Sequence, residues 1–151
     1  MLIRVLIVLG VIPGTVFAKD IQAGSYKVYT EVPEFEMSSA SKKMVGTIKK
    51  PSTDNQCITT QMAKEGPLSL LRAHDKCEFI RNEVTDSKFN IKMSCPSKDG
   101  PSVIISAFGV YTSNHVEIDS ITDRAGKDPM HIWTKSVADR VGDCKSESPK
   151  R

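Results

Sequence analysis

Apolar and polar positions alternate with a period of two through the second half of the chain. Phe89, Ile91, Met93 and Cys95 recur at every other position of 88–95, with polar residues between them. That pattern marks a strand with one buried face. The segment 77–84 (CEFIRNEV) reads as its partner across the turn-forming Thr85-Asp86-Ser87. After a polar turn at 96–100, the run 102–111 (SVIISAFGVY) is almost continuously apolar and reads as the most buried strand. Two more strands follow, 115–121 (HVEIDSI) and 130–137 (MHIWTKSV), separated by a loop at 123–129.

The first half is less regular. Residues 25–32 (SYKVYTEV), after Gly24, form a first strand. Residues 33–43 read as a serine-rich loop, with a short strand at 43–49 (KMVGTIK), and Pro51 to Asn55 supply turn chemistry before Cys57. One helical segment is predicted over about 60–72. Thr60 caps it, Gly66 stops its first part, and Pro67 starts a further turn. Successive short strands with tight turns predict a mainly β fold, an antiparallel meander curling into a barrel or half-barrel. Closure would remove exposed edges.

The four cysteines, Cys57, Cys77, Cys95 and Cys144, change the picture. No two are close enough for the tight pairs of a structural zinc site, and no C-x-x-C redox pair exists. Two disulfides are expected, in one of three connectivities that spacing alone does not choose. Hairpin geometry supplies a preference. With Asp86 at the apex, Phe79 faces Met93 and Cys77 faces Cys95, which favours Cys77–Cys95 and leaves Cys57–Cys144.

The N-terminus fits that chemistry. Arg4 precedes an apolar run from Val5 to Ile12, Pro13-Gly14 breaks it, and Val16 and Ala18 lie three and one positions before a cut after Ala18. This is the layout of a cleavable signal peptide at 1–18. The run is too short for the roughly 18 or more apolar residues of a membrane anchor. The organisation expected is a signal peptide, one disulfide-bonded β domain at 19–145, and a charged, disordered tail at 146–151. The location expected is periplasmic or secreted, with no membrane span in the mature chain. Formal net charge is +3, too weak a basic field for a nucleic-acid-binding domain.

The Gly24-Ser25-Tyr26-Lys27-Val28 start, Cys57-Ile58-Thr59 before a short helix, two middle cysteines, and the ending Arg140-Val141-Gly142-Asp143-Cys144 together resemble the proteobacterial exported domain-of-unknown-function family 3617. The resemblance implies a periplasmic, disulfide-bonded β domain. It implies no reaction.

Candidate chemistry is sparse. His115, Glu117 and Asp119 share one face of a strand. With His131 on a neighbouring strand they would suit a metal-assisted hydrolase, although the outer pair on a flat strand stand about 13 Å apart. A solvated polar face is the plainer reading, and no metal or other cofactor is expected. His74-Asp75 could belong to a triad, but no G-x-S-x-G elbow presents a serine. Lys42, Lys43, Lys49 and Lys50 form a basic cluster able to steer a partner, as does the acidic set Glu31, Glu34 and Glu36. The function expected is that of a non-catalytic binding or interaction protein of the cell envelope, such as an inhibitor or immunity-type protein. Its partner would be a protein or small ligand. The alternatives are the hydrolase and a structural envelope component.

Overall fold

The computed structural model describes residues 20–71, 76–97 and 100–144. The signal segment, His74-Asp75 and the tail lie outside them. Seven strands form one antiparallel sheet: β1 (Gly24–Met37), β2 (Ser52–Ile58), β3 (Glu78–Val84), β4 (Lys88–Cys95), β5 (Val103–Tyr111), β6 (His115–Arg124) and β7 (Met130–Gly142). Their order is β2-β1-β7-β6-β5-β4-β3. Strands β3 to β7 are the expected meander. β1 then pairs with β7 along its length, Thr30 opposite Ser136, and β2 adds to its other side.

The barrel is not closed. β2 and β3 are the two edges and do not pair with each other. The connection between them enters the core instead. It runs through helix α2 (Thr60–Ala63) and a 3-10 turn (Gly66–Leu70), both within the predicted helical segment. Ala63, Pro67 and Leu70 are buried, and Gln56 of β2 donates to the carbonyl of Ser69 at 3.1 Å. Lys64, Glu65, Gly66 and Leu68 of this connection also line one small cavity together with Asn82 and Val84 of β3. The sheet is thus plugged by its own connection rather than sealed by strand pairing.

The core follows from the alternation. Phe89, Ile91, Met93 and Cys95 lie opposite Gly109, Ala107, Ile105 and Val103 of β5. Val116 and Ile118 of β6, Ala138 of β7 and Tyr26 of β1 continue the same face. Ile91 and Val116 are fully buried, each such side chain contributing about 1.5–3 kcal/mol. A Cβ on Gly109 would collide with the Glu117 carbonyl and press on the Phe89 ring; the missing side chain makes room for that ring. Two buried tyrosines keep their hydroxyls satisfied. Tyr26 donates to the Gln22 carbonyl (2.7 Å) and Tyr111 to that of Thr85 (2.6 Å), and burial pushes the Tyr26 phenol up.

Both expected disulfides are present. Cys77 and Cys95 sit across the β3–β4 hairpin with Cα atoms 4.2 Å apart. The tight turn is at Asp86-Ser87, with Thr85 opposite Lys88. Ile80 is an extra, bulged residue that restores Phe79 to Met93. Cys57–Cys144 ties edge strand β2 to the chain just beyond β7, across β1. In the loop-entropy picture these bridges stabilise by about 3 and about 4.5 kcal/mol respectively.

Three local readings change. β1 continues to Met37, past Pro33, through a bulge between Glu31 and Glu34. The expected strand at 43–49 is helix α1 (Lys42–Ile48), capped by the Ser41 hydroxyl, which accepts from the amide of Met44. The expected turn before Cys57 is edge strand β2, polar because only Ile58 is buried in it. Among the described residues no helix is long and apolar enough to cross a membrane.

Candidate binding face

Because side chains alternate, the strands that bury one face present another. On β5 that second face carries Ile104, Phe108 and Val110, on β6 Ile121, on β7 Trp133 and Val137, and on β1 Tyr29. Phe108 is 45%, Tyr29 43% and Val110 42% exposed. The helical plug packs on the opposite face, and no described element lies across this one. The run at 102–111 is therefore not the most buried strand. Of it, only Ala107 and Tyr111 are buried.

Trp133 is held in place at the centre. Its indole N–H donates to Asp119 Oδ1 at 3.0 Å, and the Lys135 ammonium sits 5.0 Å from the ring centroid. Such a cation–π contact is worth about 0.5–1 kcal/mol on an exposed surface. An open groove of 450 Å³ runs beside Phe108 and Val110 toward Lys88 and Glu83. A second cleft, of 680 Å³, opens where Phe35, Val45, Met130 and His131 meet at the far end of β7. Its rim is fixed by Asp128, whose carboxylate accepts from Ser39 and Arg124.

The charge on this face is uneven. β1 directs Glu31, Glu34 and Glu36 to it, β6 Glu117, Asp119 and Asp123, and β7 Asp139; the same three strands add two lysines, Lys27 and Lys135. His115 and His131 stand at opposite ends. His115 donates to Asp139 (2.6 Å) and Glu117 (3.2 Å), an arrangement only the imidazolium satisfies at both nitrogens. His131 donates to Asp123 (2.6 Å), with Glu34 at 4.0 Å. Both rings are held above the usual histidine range, His115 by its hydrogen bonds to Asp139 and then Glu117, His131 by its hydrogen bond to Asp123.

These positions set the residues of the hydrolase reading apart. β6 and β7 do pair, but in a register that sets His115 opposite Asp139 and His131 opposite Asp123. The eight-residue offset along β7 separates the imidazoles by about 27 Å, so His115, Glu117 and His131 cannot share one ion. Asp119 is engaged by Trp133. No group of three potential metal ligands gathers among the described residues. The four lysines flank one short helix. Lys42 and Lys43 open α1, Lys49 and Lys50 follow its end, and all four are exposed. Sequence reasoning passed over Trp133, Phe108, Val110 and Tyr29. The available signal was the apolar run at 102–111, too rich for a strand with one dry face.

The fold and this face define a disulfide-linked open-sheet domain, with one covered side and one uncovered side. The chain belongs to the family described as protein of unknown function (DUF3617), whose family model matches residues 21–144. No curated protein and no solved structure matches it.

Proposed function

We propose that this protein is a non-catalytic binding protein of an oxidising, extracytoplasmic space, probing a protein partner with the open face of its sheet. The observation that carries the reading is the exposure of Phe108, Val110 and Tyr29 around a fixed Trp133, on strands whose other side already supplies the core. Aromatic side chains of this kind, ringed by polar groups, have the composition of interaction surfaces. Two disulfides and no free cysteine among the described residues suit export through a signal peptide. An inhibitor or immunity-type role belongs to this class.

The test is site-specific photo-crosslinking in envelope extract. A photoreactive residue replacing Phe108 should trap a discrete adduct that the same residue at Lys64, near the plug, does not. Reversing Lys42, Lys43, Lys49 and Lys50 to Glu should leave that adduct unchanged. Equal trapping at both positions, or none at Phe108, would remove the reading.

A further inference from the structure

We infer that the open face, over β1, β7 and β6, docks an extended segment of a partner protein whose face-directed side chains, every second residue, are mostly lysine or arginine with an apolar one among them. The inference deepens the binding-face reading and rests on it. Three observations lead to this chemistry.

The first is where the charge lies. The chain as a whole is net positive, +3, yet on this face of the three strands seven carboxylates outnumber two lysines and two histidines, His115 and His131, which engage Asp139, Glu117 and Asp123. A cationic partner is repelled by the rest of the surface and drawn to this side, which steers both encounter and orientation. The second is the seat already built there. Lys135 shows that an ammonium fits over the Trp133 ring, between the cross-strand neighbours Glu31 and Asp119. Lys135 fills that seat in the free protein, so a partner's lysine or guanidinium would displace it and take over the same aromatic plane and the same acids. The third is the repeat. Glu117, Asp119, Ile121 and Asp123 project at every second residue of β6, about 6.7 Å apart, which is also the side-chain repeat of an extended peptide. An apolar side chain in that same face-directed set would cover Phe108 and Ile121 while the cations lie between carboxylates. A small polyamine would satisfy the acids and leave the aromatic and aliphatic side chains wet.

Trp133 is the chain's single tryptophan, so its emission reports on this face directly. The oxidised protein is titrated with the nine-residue peptide Lys-Ser-Lys-Ser-Leu-Ser-Lys-Ser-Lys, which is free of aromatics and sets its lysines and leucine on one side when extended. The expected result is a saturable change in Trp133 emission, weakened about tenfold between low and physiological salt. The double variant Glu31→Lys/Glu117→Lys should bind at least about tenfold more weakly, with its circular dichroism unchanged. Peptides with glutamate for lysine, or serine for leucine, should not saturate.

Absence of a saturable change would overturn the inference. So would equal binding by the reversal variant, or equal binding of the serine peptide, which would mean diffuse charge attraction. Sedimentation showing that the face is covered by a second copy would overturn it too. Crosslinking from Phe108 separates the two levels. A trapped partner with no peptide binding leaves the binding face standing and removes its cationic occupant, whereas no trapped partner removes the face itself.

Discussion

The two faces of the sheet are built from the same strands and share one backbone, yet they solve different problems. On β5, Ala107 and Tyr111 are buried against the plug while Phe108 and Val110, one residue away on either side, stay more than two-fifths exposed. The covered face shows what folding requires: apolar side chains, a missing Cβ at Gly109, and hydroxyls that find carbonyls. The open face contains groups that folding does not require. A solvated sheet face is satisfied by polar residues, so the aromatic and aliphatic side chains there call for another explanation, which the proposed contact with a partner would supply.

The sharpest way to break this comparison is to truncate one side chain on each face. Ile91→Ala should cost about 3 kcal/mol, the range of a large-to-small change in a packed core. Phe108→Ser should cost about 1 kcal/mol or less. Urea unfolding of both variants measures the gap, and similar losses would mean that the open face is structural. A smaller effect is expected at the contact between strands. Gly109→Ala should destabilise by about 2 kcal/mol through overpacking against Phe89 and the β6 backbone. Pairing it with a smaller side chain at Phe89 should recover part of the loss, and no recovery would place the strain in the backbone alone.

The smallest effect concerns pH and belongs to the open face. The imidazoles of His115 and His131 bind their protons more tightly when folded than at the ordinary value of 6.5. Their contribution is therefore complete below that value and fades as pH rises through the raised folded-state range. Because the pairs are largely exposed, the Tm should fall by only a few degrees between pH 5.5 and 8.5. The double variant His115→Gln/His131→Gln should flatten that slope. A slope that survives would assign it to other groups.

Much of the fold was legible where one face is dry. In β4 the alternation of Phe89, Ile91, Met93 and Cys95 fixed both the strand and its side, and Cys77 could then be placed opposite Cys95. That pairing holds through a bulge at Ile80 which the pattern did not reveal. Legibility failed where burial is slight. β2 has only Ile58 to bury, so its polar residues read as a turn, and the β-branched Val45, Thr47 and Ile48 hid a helix whose clue was the Ser41 cap. Whether the edges close is decided by contacts far apart in sequence, and so is the placing of His115 and His131 at opposite ends of one face. The candidate face was visible only as an excess of apolar residues in one strand, which invited a reading of deeper burial.

The position of β1 has a kinetic consequence. Thr30 and Ser136, hydrogen-bonded at 2.9 Å, are 106 residues apart in the chain. A polypeptide emerging from its N-terminus first can pair β1 with β2 and then assemble the local hairpins of β3 to β6 as they appear, but the β1–β2 pair must wait for the last strand before it joins the sheet. Pairings over such separations are slow to form. Until β7 arrives, the early hairpin exposes a strand edge to other chains, so the nascent protein is most prone to aggregate just before it is complete.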